Sequence, residues 1–149
     1  MKVSDLTDHL GFWLRGVSNH VSHGFAAHLA ATGVTVAEWV MLRALHGQRP
    51  MPPSRLAEVM GMTRGAITKL ADRLIAKSLI LRAADPDDGR AQTLALTPQG
   101  ARLVPRLAAL ADRHDAEFFA PLSPADRKAL ERILRRLSAH HRIAAPPVE

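Results

Sequence analysis

Apolar residues recur with the period of an α-helix along most of the chain, and this pattern predicts a mainly α-helical protein. In the first stretch the apolar positions run from Leu6 to Leu29 at helical spacing. The predicted helices cover residues 4–31 and 36–47, a short unit from Pro53 to Gly61, a unit that begins behind Thr63, residues 98–120, and a last helix that begins at Ser123. The closing APPVE is expected to be loose.

The second, third and fourth helices carry sequence signals for their ends. Thr35 and Glu38 have the spacing of a capping box, in which each side chain accepts a hydrogen bond from the backbone N–H of the other residue. Gly61 suits the left-handed conformation that ends a helix, and Thr63 can cap the helix that follows. Two helices joined by a short glycine-containing turn are the outline of a helix-turn-helix.

A β-hairpin is predicted directly after this unit. The stretch LILRAADPDDGRAQTLALT indicates two strands, residues 79–84 and 91–96, joined by a turn rich in Asp, Pro and Gly. Leu79 and Leu81 are expected to share one face, as are Leu94 and Leu96. An isolated hairpin is only marginally stable, so this one is expected to pack on the helices as a wing.

The fourth helix has a small and basic exposed face. Its apolar residues fall at i, i+3, i+4 and i+7 and mark the buried side: Ile67, Leu70, Ala71 and Leu74. At about 100° per residue, Gly65, Lys69 and Arg73 are expected to point away from that side. A glycine inside a helix costs about 1 kcal/mol relative to alanine, so Gly65 indicates that another molecule must approach the backbone closely.

The charge distribution favours double-stranded DNA as that molecule. The 149 residues carry a net charge of +6, and residues 63–82 contain five basic residues against one acidic residue. A recognition helix presents hydrogen-bonding side chains to the major groove from its N-terminal turns, and an arginine on a wing can enter the minor groove. The expected DNA contacts are Thr63, Arg64, Gly65, Thr68, Lys69, Arg73 and, on the wing, Arg90.

Composition excludes several other classes of protein. There is no cysteine, so disulfides and thiolate metal sites are excluded, and no apolar run approaches the roughly 20 residues of a membrane span. We expect a cytoplasmic protein of one domain. The densest titratable cluster, Asp112 to Glu117, has no nucleophile elbow or phosphate loop beside it, so neither an enzyme nor a cofactor is expected.

The run from Thr35 to Gly100 resembles the MarR family of winged helix-turn-helix transcriptional regulators, through TVAEWVMLRAL, PPSRLAEVMGMTRGAITKLADRLIAKSLI and DPDDGRAQTLALTPQG. The resemblance implies one MarR-like domain over residues 1–149, with a DNA-binding region at 35–97 and a helical dimerisation region at 1–34 and 98–145. It also implies a homodimer that represses from a palindromic operator until a small aromatic or phenolic molecule binds. Gly89 departs from the family, whose members commonly carry a second arginine there.

Three alternatives stay open on the sequence alone. Trp13, His20, Trp39 and Arg43 are candidates for an effector cavity, since a flat apolar wall and a cation suit an aromatic carboxylate. The alternative is that both tryptophans are core residues. A metal-responsive regulator is the second alternative, and its candidate ligands are His20, His23, His28, His114 and Glu117. The sequence argues against it, because there is no HxxxH pair and few of these residues have the spacing of metal ligands. We expect no metal. The third is an architectural DNA-binding protein, or a protein-interaction module, without an effector.

Overall fold

A computed structural model describes residues 1–143. Within them the fold is mainly α, with one two-stranded antiparallel sheet, and this confirms the predicted winged helix-turn-helix architecture. The elements in chain order are α1 Leu10–Ala30, α2 Val36–Leu45, α3 Pro53–Met60, α4 Arg64–Ala76, β1 Ile80–Ala84, β2 Gln92–Leu96, α5 Pro98–Phe118 and α6 Pro124–His140. The APPVE tail and the end of the predicted dimerisation region lie outside the described residues.

The first helix begins later than predicted. A short 3₁₀ turn spans Leu6–Asp8, closed by a 2.9 Å hydrogen bond from the backbone N–H of Asp5 to the Asp8 carboxylate. His9 then has extended backbone, with φ −104° and ψ 125°, so the helix can start only at Leu10. The apolar period continues through this break, which is why the sequence pattern did not reveal it.

The predicted helix ends are confirmed at the helix-turn-helix. The Thr35 hydroxyl accepts from the backbone N–H of Glu38, and the Glu38 carboxylate accepts from that of Thr35, both at 3.1 Å. Gly61 ends α3 with φ 63°, a conformation that glycine adopts without steric cost. The Thr63 hydroxyl accepts from the Ala66 N–H at 3.2 Å and so begins α4.

The hairpin is confirmed, but the predicted pairing of Leu79 with Leu81 on one face is wrong. Leu79 lies in the turn that follows α4, because its N–H donates to Leu74 O at 3.0 Å and Ser78 has φ 60°. The strand alternation therefore begins at Ile80, which is buried, and leaves Leu81 41% exposed. In the partner strand, Leu94 is buried and Leu96 half-buried, as expected.

The wing is attached to the helices by backbone contacts. Met51 and Leu94 exchange two backbone hydrogen bonds, of 2.9 and 2.8 Å, so the segment before α3 adds a single bridge to the hairpin. At the other end of β2, a Cβ on Gly100 would lie 2.0 Å from Leu79 O. Only glycine permits this close approach of α5, and the hairpin is thereby fixed between α3 and α5.

The hydrophobic core lies under the helix-turn-helix, the hairpin and the first turns of α5. Its fully buried members include Met41, Leu42, Leu56, Met60, Ile67, Leu74, Ile80, Leu94, Val104 and Leu107. Helix α1 contributes a single buried residue, Leu29, and no residue of α6 is buried. The two terminal helices therefore keep most of their apolar side chains exposed in a single chain. None of the described helices combines the length and apolar character that crossing a membrane requires.

Candidate nucleic-acid interface

The first two turns of α4 project a face made of small and polar residues. We call Thr63, Arg64, Gly65, Thr68 and Lys69 the N-terminal face of α4. All five residues are exposed, while Ile67 and Leu70, on the opposite side of the helix, are buried. A Cβ placed on Gly65 would meet no atom within 4 Å. Internal packing therefore does not require a glycine there, in contrast to Gly100.

Only some of the cations around α4 are free. Within residues 1–143, Arg64 and Lys69 have no acidic side chain within salt-bridge distance. Arg82 binds Asp72 at 2.8 Å, and Arg73 and Lys77 both bind Glu38. The local positive charge that the sequence indicates is thus concentrated, in the folded chain, on the N-terminal face of α4.

Arg73 lies in a different environment from the other predicted DNA contacts. Its side chain is 54% exposed, and its Nη2 lies 3.3 Å from both Glu38 Oε1 and Thr35 Oγ1. Exposure agrees with the expectation that Arg73 points away from the core, but the guanidinium is turned toward the start of α2. Its direct contact with DNA stays a prediction, as do those of the N-terminal face.

Glu38 is a buried charged residue, and sequence reasoning missed its partners on the far side of the helix-turn-helix. Its side chain is 1% exposed, and its Oε2 accepts a 2.7 Å hydrogen bond from Lys77 Nζ, which also donates to Gly33 O at 2.7 Å. Burial alone raises the pKa of this carboxyl, but the hydrogen bonds from Lys77 and Thr35 and the charge of Lys77 outweigh burial, so the pKa lies below its ordinary value. Glu38 is therefore ionised at neutral pH.

The wing tip has the structure expected of a turn stabilised by aspartates. Asp85 and Asp88 accept hydrogen bonds from the backbone N–H groups of Asp87 and Arg90, at 2.9 and 3.1 Å. The acids thus shape the turn, and Asp88 holds the backbone of Arg90. Within the described residues the Arg90 guanidinium has no salt bridge, and the residue is exposed at the tip. It is available to a phosphate or a minor groove.

The four predicted effector residues do not form one cavity within a single chain. Trp13 and His20 line a groove of about 580 Å³ along α1, together with Phe12, Gly16, Val17 and Phe118. Trp39 and Arg43 are not among the residues that line it, because Trp39 packs on the core from α2. Trp39 is half-buried and Arg43 is exposed.

The histidines of α1 and α5 make packing contacts. His114 Nε2 lies 2.9 Å from Val21 O, its ring stacks on Phe25, and His28 meets it edge-on. Over residues 1–143 no three His, Asp or Glu side chains are grouped as metal ligands.

These elements define a class of protein. A winged helix-turn-helix DNA-binding protein has three features that this fold contains. They are a tight helix-turn-helix, a second helix whose first turns are basic and uncrowded, and a hairpin with an exposed arginine at its tip. The family model that matches the chain, over residues 34–91, is that of the MarR family.

Relatives over nearly the whole chain agree. A putative transcriptional regulatory protein for the hcr operon of Thauera aromatica is 35% identical over 129 residues, which cover 86% of this chain and 78% of that protein. The chain belongs to the MarR family of DNA-binding transcriptional regulators.

Solved structures of similar fold include two with informative partners. One is Bordetella bronchiseptica BpsR, whose DNA binding is regulated by 6-hydroxynicotinic acid. It has a TM-score of 0.82 and 26% identity, and the match covers 92% of this chain and 98% of that one. The transcriptional repressor CouR, bound to a 23-mer DNA duplex, also has a TM-score of 0.82 and 26% identity, with 93% and 98% covered.

Proposed function

We propose that this protein is a sequence-specific transcriptional repressor that binds a palindromic operator as a homodimer and is released by a small aromatic effector. The observation that carries the proposal is the N-terminal face of α4, where uncrowded backbone and two cations without a salt bridge to residues 1–143 project beside the wing. In this proposal Thr63, Arg64, Thr68 and Lys69 contact bases or phosphates in the major groove. Gly65 admits the groove wall, and Arg90 enters the adjacent minor groove.

Exposed apolar surface supports the homodimer. Leu10 is 87% exposed, Trp13 56% and Leu14 52%, while on α6 Ile133 and Leu137 are 49% and 45% exposed. Apolar surface on this scale at both ends of one chain is unusual for a monomer. A two-fold contact between copies would cover both segments at once and would place two α4 helices about 34–36 Å apart, one turn of duplex.

The groove on α1 supports an effector of aromatic chemistry. Its walls are largely aromatic and aliphatic, and Arg15, Asn19 and His20 supply a cation and polar groups. The likeness to BpsR, whose DNA binding is regulated by 6-hydroxynicotinic acid, points to the same ligand class. An effector acts here by binding two arrangements of the dimer with different affinity, so that the DNA-competent arrangement is depleted. Trp39 and Arg43 would contribute only if the dimer brings them to the groove.

Selection of duplexes from a random pool tests the DNA-binding part of this function. The expected result is a palindromic sequence with half-sites spaced by one helical turn, recovered together with a dimeric mass in analytical ultracentrifugation at micromolar concentration. Recovery of unrelated sequences, with affinity that depends on salt alone, would instead identify an architectural DNA binder and contradict the proposal.

A screen of aromatic carboxylates and phenols against the selected complex tests the effector. The expected outcome is that at least one compound releases the operator and that His20→Ala, a change in the groove outside the proposed dimer contact, abolishes this release while the variant still binds the operator. Persistent binding in the presence of every such compound would remove the effector from the proposed function.

A further inference from the structure

Glu38 joins the turn before α2 to the last turns of α4, and it does so from inside the protein. We propose that Glu38 is a positioning residue for DNA recognition, which sets the pose of α4 through Arg73 and Lys77. A corollary is that Arg73 supports operator binding through Glu38 and not by neutralising a phosphate itself. The inference rests on the proposed function, since it assigns a role within the same DNA-binding site.

The geometry of the contact fixes α4 at two points. Arg73 and Lys77 are four residues apart, so they lie on the same side of the helix, one turn from each other. Arg73 Nη2 lies 3.3 Å from Glu38 Oε1, and Lys77 Nζ lies 2.7 Å from Glu38 Oε2. Lys77 also reaches Gly33 O, and Arg73 reaches the hydroxyl of Thr35. Rotation or sliding of α4 by a single residue would break these contacts together.

Burial makes the contact selective for one pose. An ionised carboxylate removed from water is strongly unfavourable unless it is paired and hydrogen-bonded. The capping contact with Thr35 satisfies part of the Glu38 carboxylate, and the charged partners are Arg73 in α4 and Lys77, the C-cap residue of that helix. A pose of α4 that separates them leaves a buried charge unpaired, so such poses are depleted. Glu38 itself is too buried to touch DNA.

The substitution Glu38→Gln separates positioning from plain electrostatics because the two predict opposite signs. Glutamine removes one negative charge and frees two cations beside the DNA, so long-range attraction alone would raise the affinity for any duplex. Positioning predicts that operator affinity falls about tenfold, while affinity for a random duplex stays the same or rises slightly. Both are measured by fluorescence anisotropy at a temperature where circular dichroism shows the variant folded.

Glu58→Gln is the matched control. Glu58 lies exposed on α3, within the same region, and has no salt bridge among the described residues. This variant changes the net charge by the same amount, so it is expected to keep or slightly raise affinity for both duplexes.

Arg73→Gln tests the same proposal from the exposed side of the contact, and it serves if Glu38→Gln does not fold. Positioning predicts a lower operator affinity with an unchanged dependence of affinity on salt. A direct phosphate contact predicts that the slope of log K against log[salt] falls by about 1. The double variant should lose no more affinity than the worse single variant, because both substitutions break one contact.

The outcomes are distinct from those that test the proposed function. If the wild-type protein prefers no selected duplex over a random one, the proposed function itself is contradicted. With that preference intact, the positioning role is overturned if Glu38→Gln keeps or gains operator affinity, if it loses operator and random affinity equally, or if Arg73→Gln lowers the salt slope.

Discussion

The two ends of helix α4 use basic residues in opposite ways. At the N-terminal end, Arg64 and Lys69 project from an exposed face without acidic partners in the described chain. At the C-terminal end, Arg73 and Lys77 are bound to a buried carboxylate, and Arg82 just beyond the helix is bound to Asp72. One end of the helix is left available to a polyanion, whereas the other is fixed to the protein.

This difference shows that charge counted along a sequence overstates the charge offered to a partner. Five basic residues lie in residues 63–82, and three of them are engaged by carboxylates in the fold. The two cations without such a partner, Arg64 and Lys69, lie beside the uncrowded backbone of Gly65. We infer that α4 is divided by function, with contact to DNA at its start and attachment to the protein at its end.

The largest effect is expected from filling the space at Gly65. Gly65→Gln should lower operator affinity about 100-fold, because the side chain occupies the volume into which the groove must come. The fold should be unaffected or slightly stabilised, since a helix interior disfavours glycine by about 1 kcal/mol. Affinity titration and thermal unfolding measure the two effects.

Ala76→Gln is the control for Gly65, because Ala76 is exposed at the other end of the same helix. It should leave operator affinity unchanged. Equal losses in the two variants would show that α4 does not have one DNA-contacting end, and the division of the helix would be wrong.

A pair of lysine substitutions sharpens the comparison. Lys69→Ala should weaken operator binding by about 1–3 kcal/mol and leave the free energy of unfolding nearly unchanged. Lys77→Ala should affect stability more than operator binding. It should lower the free energy of unfolding by about 1–3 kcal/mol, because Glu38 stays buried and loses a charged partner. Denaturant unfolding and DNA titration of both variants give the four numbers. Similar profiles for the two lysines would contradict the account.

The pH dependence of the free energy of unfolding should report the ion pairs that Glu38 makes at the C-terminal end of α4. The pKa of Glu38 in the folded state is lowered from the ordinary 4.5, so the unfolded chain binds a proton more readily than the folded one. Its contribution to stability is complete above about 4.5 and is lost as the pH falls through the lowered pKa. The free energy of unfolding should therefore fall less steeply below that pH in Glu38→Gln than in the wild type. Parallel curves would show that Glu38 is not stabilised in its charged form.

The smallest effect is expected on the wing. Arg90→Ala should reduce operator affinity several-fold without changing which sequence is preferred, because an arginine in the minor groove senses groove width and potential more than base identity. Selection from a random pool with this variant should return the wild-type sequence. A different selected sequence would show that the wing reads bases directly.

Much of the fold could be predicted because its signals are local. The capping box at Thr35, the left-handed Gly61 and the cap at Thr63 depend on residues within one turn of each other, and all three are confirmed. The errors lie where the apolar period gives no sign of an element's end. The Leu79 N–H donates to Leu74 O and closes the turn after α4, and the alternation of apolar residues does not reveal that.

The sequence predicts the exposed face of α4 but not the contacts that hold the other end of this helix. The exposure of Gly65 and Lys69 follows from the helical period, which fixes the opposite face as apolar. The pairing of Glu38 with Arg73 and Lys77 spans 35 and 39 residues, so the sequence could identify Glu38 as a cap but not as the partner of α4. Likewise, Trp39 and Trp13 are both aromatic candidates in sequence, yet only Trp13 faces the groove on α1.

The affinities for the selected operator and for a scrambled duplex of equal length, measured at 50 and 200 mM salt, show whether this protein reads a base sequence. If the N-terminal face of α4 contacts bases, both affinities fall as salt rises while their ratio stays large, roughly 10³ or more. A ratio near one at either salt concentration would contradict base reading by this face.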